Sequence, residues 1–209
     1  LLDAAHLQAA KTARSTPDLV DALVVMRYTG ARVGEVLGLH WGDLDLTGDP
    51  PIATIERTVL EQRGGDKPGQ TGPTKGGVER RIALHPEAVE YLADRKDRAR
   101  RQGRSTAAGA FVFAVGSQGL PLSPPNLRTR LRALVHKTDL AWVHPHSLRH
   151  TLATEAARAL DEAAAADLLG HTDARVTRRH YIERTDGPVM DPRALFPDAE
   201  EPPEGAACA

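Results

Sequence analysis

Apolar and polar positions along the chain alternate in blocks that mostly carry a helical period. Leu2 to Ala13 reads as a short helix. Thr16-Pro17-Asp18 opens a second helix, with proline in its first turn, and Thr29-Gly30 stops it. Leu19, Val20, Leu23, Val24 and Met26 cover most of that helix, so it is predicted to be buried. A third helix carries Val33, Val36 and Leu37 at i, i+3, i+4 spacing and is predicted to end near His40-Trp41-Gly42. After the Pro50-Pro51 break the period changes. Ile52 to Leu60 is rich in β-branched residues and reads as one strand, and Val78 to Leu84 as its antiparallel return. The glycines and prolines of 64–77 read as a long flexible connection.

Helical pattern resumes at Pro86 and runs to about Gln102. Residues 103–109 read as a loop and Phe111-Val112-Phe113 as a short apolar segment. Pro124-Pro125 starts a helix with Leu127, Leu131, Leu134 and Val135 on one face. Arg128 and Arg132 share another face, with Arg130 nearby. Pro145 starts a helix that aligns Leu148, Leu152 and Ala156. Asp161 to Leu169 reads as an alanine-rich helix closed by Gly170, and a last helical stretch holds Tyr181. The expected fold is mainly α with a small antiparallel β-sheet, an α+β domain over residues 1–187. Residues 188–209 form an acidic, proline-rich tail expected to be mobile or exchanged between protomers.

Composition narrows the class. The chain has 209 residues, 41% hydrophobic but only 4% aromatic, so its core must rest on Leu, Val, Ile and Ala. Apolar runs such as Ala22 to Met26 fall far short of the roughly 20 residues that span a bilayer. No basic start leads into an apolar stretch, so neither membrane nor signal peptide is expected. The single cysteine, Cys208, excludes an internal disulfide framework and a cysteine-based zinc site, and fits a reducing, cytoplasmic setting.

The formal net charge of -1 conceals an asymmetry. Asp191, Asp198, Glu200, Glu201 and Glu204 face only Arg193 in the last 19 residues, so the rest of the chain carries an excess of positive charge. Only 5 of the 27 basic residues are lysines. Arginine binds phosphate bidentately, so composition permits a DNA partner.

Three segments could carry chemistry. In T-G-A-R-V-G-E-V-L-G-L-H-W-G-D (29–43), Arg32 begins a helix and Glu35 lies one turn on, within reach of the same face. Taken alone this is a surface arginine with a helical ion pair. In H-P-H-S-L-R-H-T (144–151), His146 and Arg149 project together at i, i+3 near a helix N-terminus, where anions are favoured. His146 and His150 also have metal spacing. The glutamate of an H-E-x-x-H site is absent, however, and Arg149 would stand beside the cation, so phosphate is favoured over zinc. A helix-capping histidine with a surface arginine is the plain alternative. In L-L-G-H (168–171), Gly170 leaves His171 just beyond a helix end, and Tyr181 follows on the next helical stretch. Tyr181 alone reads as a packing residue.

In their order these segments resemble the catalytic domain of the tyrosine recombinases, or phage integrase family. T-K-G-G-V-E-R-R-I-A-L at 74–84 is similar to that family's β-strand lysine motif, and the resemblance runs over about residues 1–185. It implies a site for one phosphodiester, with no metal, cofactor or ATP. Arg32 and Arg149 would clamp the scissile phosphate. Lys75 would protonate the leaving 5′-oxygen, and His146 would move a proton to and from the nucleophile. His171 would hydrogen-bond the phosphate, and Tyr181 would attack to form a 3′-phosphotyrosine. Glu35 would support Arg32, and Arg128, Arg130 and Arg132 would contact the DNA backbone.

The implied partner is double-stranded DNA, bound by a homotetramer of the full-length protein on paired sites, with the isolated domain a monomer. Two departures stand out. Ala83 occupies the place where many relatives have proline, and the N-terminal DNA-binding domain of most members is missing, so the chain is expected to be either an isolated domain or a truncated product. The alternatives are a type IB topoisomerase-like DNA-relaxing enzyme and a catalytically inactive DNA-binding module.

Overall fold

The computed structural model describes residues 17–61, 69–74, 77–136 and 138–159, and the backbone of 189–190. The expected helices over 2–13 and 161–169, the stretch holding Tyr181 and the tail beyond Met190 lie outside the described residues.

A buried helix, α1 (Pro17–Thr29), organises the core. Leu19, Val20, Leu23, Val24, Val25 and Met26 are all at most 3% exposed, so the helix is enclosed on every side. Burial of this kind is what an apolar surface without a polar stripe requires. α1 ends at Gly30, whose φ of 61° suits glycine and whose N–H donates to the Met26 carbonyl at 3.0 Å. The next helix, α2 (Val33–Leu37), is a single turn and a half. It was expected to run to His40, but Gly38 caps it, and the chain passes through a 3₁₀ turn at Trp41–Asp43. There Asp43 accepts the His40 N–H at 2.7 Å.

Strands follow. β1 (Leu44–Asp45) and β2 (Ile52–Ile55) pair antiparallel, and β2 pairs antiparallel with β5 (Arg80–Ala83). The single strand expected over 52–60 is split at Glu56. Its second half, β3 (Arg57–Val59), leaves that sheet and pairs with β4 (Thr71–Pro73). β4 lies inside the glycine-rich stretch expected to be a plain connection. Its Gly72 faces Leu60, and pairing with β3 supplies the order that its own side chains do not. β8 (Val189–Met190) adds to β5 in parallel, giving the order β1-β2-β5-β8.

α3 (Pro86–Arg101) starts at His85, whose Nδ1 accepts the Glu87 N–H at 3.2 Å. A small hairpin, β6 (Ala114–Val115) and β7 (Leu120–Pro121), comes next. It is built on Gly116 and Gly119, both with positive φ, and two-residue strands are too short to show a period in sequence. α4 (Pro124–Val135) and α5 (Pro145–Ala159) complete the described chain. α1 packs against α2, α3, α4 and α5, so everything that follows is positioned on one central helix.

Candidate active site

The site forms where the C-terminal end of α1, the short helix α2 and the start of α5 meet. Gly30 ends α1 and aims its carbonyl at α5, where Arg149 Nη1 donates to it at 2.6 Å. Arg149 is 3% exposed, so it is buried rather than the surface arginine that one reading of its sequence allowed. Two residues after Gly30, Arg32 takes an extended conformation at the head of α2. Its backbone N–H donates to Glu35 Oε2 at 2.8 Å, and its guanidinium donates to Glu35 Oε1 at 2.9 Å. Its side chain is 31% exposed, so one edge of the guanidinium faces outward.

Glu35 is 1% exposed and carries more than the expected helical ion pair. Arg80 of β5, 45 residues away, donates from Nη2 to Glu35 Oε2 at 2.6 Å. One carboxylate therefore holds two guanidiniums, with Arg149 close enough to feel both. Burial works to raise the Glu35 pKa, but the Arg80 charge and the Arg32 hydrogen bonds outweigh it and hold the carboxyl below its ordinary value. Arg149 shifts the other way. Burial, then the charges of Arg32 and Arg80, lower it to about 10, while Glu35 opposes the shift. It stays charged at neutral pH. Among the described residues three guanidiniums and one carboxylate gather at this corner of the fold, a setting that suits an anion.

This corner opens on a concavity of about 320 Å³ lined by Arg32, Val33, Arg128, His144, His146 and Arg149, among others. His144 rather than His146 caps α5: its Nδ1 accepts the Ser147 N–H at 3.2 Å, and Ser147 Oγ lies 3.3 Å from the His144 backbone nitrogen. His146 is thereby left exposed at the concavity, its ring 6.4 Å from that of His144. Arg128 lines the same space and also pairs with Glu61 at 2.5 Å. Arg130 is half-buried and Arg132 exposed, on the same helix.

Of the residues singled out in the sequence, Arg32, Glu35, Arg128, His146 and Arg149 are thus brought together. Lys75, His171 and Tyr181 lie outside the described residues. Between β4 and β5 the Gly77 N–H donates to the Thr74 carbonyl at 2.8 Å, and Thr74 Oγ1 donates to the Val78 carbonyl at 2.9 Å. Among the described residues no three His, Cys, Asp or Glu side chains gather into a set that could hold a metal ion. No described helix is long and apolar enough to cross a membrane.

Arg80 was missed in sequence. Its one signal is strand alternation, because Arg80 and Ile82 both turn inward from β5. An arginine on the apolar face of a strand requires a buried acceptor, but nothing local points to Glu35 as the one.

Comparison with known proteins shows the family of the chain. The profile of the phage integrase family matches residues 3–187. The chain belongs to the phage integrase family. Among its relatives, the tyrosine recombinase XerC of Bacillus pumilus is 31% identical over 162 residues, 75% of this chain and 46% of that protein. The transposase of transposon Tn916 from Enterococcus faecalis is 28% identical over 79% of this chain and 42% of its own length. The chain thus spans less than half the length of these two relatives.

Solved structures agree on the fold of this integrase-family domain. The catalytic core of lambda integrase superposes with a TM-score of 0.51 at 23% identity, over 81% of this chain and 93% of that one. The XerA recombinase gives 0.53 at 25% identity, over 82% and 54%. The Tn1549 transposon integrase, in a complex with circular intermediate DNA, gives 0.58 at 20% identity, over 80% and 56%.

Proposed function

We propose that this domain cuts and rejoins DNA through a covalent 3′-phosphotyrosine, as the catalytic part of a site-specific recombinase. The observation that carries the reading is the convergence of Arg32, Arg149 and His146, from two distant stretches of sequence, on one concavity. A phosphodiester is an anion whose oxygens gain charge as a nucleophile attacks. Fixed guanidiniums supply that stabilisation with little reorganisation. Gly30 and Glu35 hold the two arginines in place before substrate arrives.

In this mechanism the Tyr181 hydroxyl attacks the phosphorus of the scissile phosphate and forms a phosphorus–oxygen bond. The bond to the 5′-oxygen breaks, and Lys75 delivers the proton that the leaving oxygen needs. His146 takes the proton from Tyr181, a phenol of pKa near 10 that is a weak nucleophile without help. His171 hydrogen-bonds the phosphate. Attack by a free 5′-hydroxyl reverses the sequence and reseals a strand. The phosphotyrosine conserves the bond, so no ATP, metal or cofactor enters. The partner is double-stranded DNA, with Arg128, Arg130 and Arg132 on its backbone. Strand exchange takes place in a tetramer of the full-length protein on paired sites, and the tail beyond Met190 acts there between protomers.

The test is an adduct assay. Wild type and Tyr181→Phe are incubated in EDTA with a nicked duplex whose cut end diffuses away. A protein–DNA adduct on a denaturing gel is expected from wild type alone. An adduct from Tyr181→Phe, or none from either protein on any duplex it binds, would overturn the reading.

A further inference from the structure

Trp142 is the most exposed large apolar side chain among the described residues, at 68%. Its setting is not that of a loose loop. Between α4 and α5 the chain is tied by five hydrogen bonds. The Thr138 N–H and Oγ1 both donate to the Val135 carbonyl, at 3.0 and 2.8 Å. Thr138 Oγ1 accepts the Leu140 N–H at 3.1 Å, and the Ala141 and Val143 N–H groups donate to Thr138 and Leu140 carbonyls at 3.1 and 2.8 Å. On either side of the indole, Val143 is 9% exposed and Leu140 packs on the core. The chain anchors both flanks and presents the ring between them. Exposing so large an apolar surface on a fixed turn costs solvation and gains nothing for folding.

Its neighbourhood says what would cover it. Trp142 is two residues from His144, which lines the concavity, and two residues span at most about 7 Å. Among the described residues, Arg130, Arg132, His136, His144 and His146 lie exposed or half-buried over 123–147, with Arg128 paired to Glu61 and Asp139 the one acid of that stretch. A polyanion is the complementary partner for such a surface. In an intact duplex the base faces are already stacked on one another, whereas an unpaired nucleotide presents a free face.

We propose that Trp142 is a stacking platform for an unpaired base of the DNA strand next to the phosphate clamped by Arg32 and Arg149. This rests on the phosphodiester reading of the site and adds to it a preference for locally opened DNA. At about 3.4 Å of rise per nucleotide, the Trp142 backbone stands within roughly two nucleotides of His144 at the rim of the concavity. A strand end released by cleavage is such a substrate, and stacking would hold it beside the site.

The test uses the whole chain and two labelled duplexes of the same sequence, one fully paired and one with two unpaired nucleotides beside a nick. Stacking on an aromatic ring should make the opened duplex bind roughly 5- to 150-fold tighter than the paired one. Trp142→Ala should remove that preference and leave binding to the paired duplex unchanged, and Trp142→Phe should keep much of it. Fluorescence reports the ring directly, because the only other tryptophan, Trp41, is 3% exposed. Emission accessible to iodide in the free protein should be quenched and protected by the opened duplex alone. Equal preference in wild type and Trp142→Ala, or binding of the opened duplex with unchanged emission, would overturn the proposal. So would loss of self-association in Trp142→Ala, which would make the ring an interface between copies. The preference is read from binding, so a failed adduct assay with it intact strikes the phosphodiester chemistry and not the stacking.

Discussion

Replacing Glu35 by alanine should damage this domain more than its place on a five-residue helix suggests. The carboxylate accepts three hydrogen bonds, from the Arg32 backbone, the Arg32 guanidinium and Arg80. Its side chain is 1% exposed and that of Arg80 is 4% exposed. Alanine leaves the Arg80 guanidinium in the interior without this counter-charge, and removing one partner of a buried pair costs about 3–5 kcal/mol. Domains of this kind are stable by about 5–15 kcal/mol in total, so the loss is a large share. Urea unfolding followed by circular dichroism should show it. At a slope of about 2 kcal/mol/M, the midpoint falls by roughly 2 M. Glutamine keeps the shape and one acceptor, so it should lose only about 1–3 kcal/mol. An alanine variant within about 1 kcal/mol of wild type would refute the reasoning, because Glu35 would then not be what neutralises Arg80.

The same carboxylate sets an acid dependence. Its pKa is lower in the folded chain than in the unfolded one, so its contribution is complete above the unfolded value of about 4.3 and is lost as pH falls through the folded value. Glu35→Gln should flatten that part of the stability–pH curve, measured by urea unfolding at successive pH values. Gly34→Ala should also destabilise: its Cβ would stand 2.4 Å from Thr58 Oγ1 and 2.9 Å from the Val59 carbonyl oxygen. That carbonyl belongs to the β3 backbone, so a loss of about 1–3 kcal/mol is expected in thermal or urea unfolding, with α2 and Arg32 displaced.

Much of this fold could be read from local signals. Proline marks the starts of α1, α3, α4 and α5, and Gly30 marks the end of α1, because the reasons for those residues lie within a turn of themselves. What escaped depends on partners distant in sequence. Thr71-Gly72-Pro73 is a strand because β3 lies beside it, and Ile52 to Leu60 breaks in two because its halves serve different sheets. Arg32 and Arg149 could be picked out by type and spacing. The burial of Arg149 could not, since it depends on the Gly30 carbonyl 119 residues away. Arg80 was hidden for the same reason, its carboxylate lying on another element.

The central claim is that Arg32 and Arg149 act on one phosphate during the reaction and not on DNA affinity at large. The direct measurement is single-turnover cleavage of a nicked duplex by wild type and Arg149→Lys, with binding of the same duplex measured alongside. Lysine keeps the charge but loses the planar fork that can donate to the Gly30 carbonyl and to an anion together. Cleavage should fall about a hundredfold or more, as for loss of one preorganised donor to a developing charge. Binding should fall by no more than a few-fold, because one phosphate is a small part of the total contact. Wild-type cleavage by the lysine variant, or equal losses of cleavage and binding, would contradict the account.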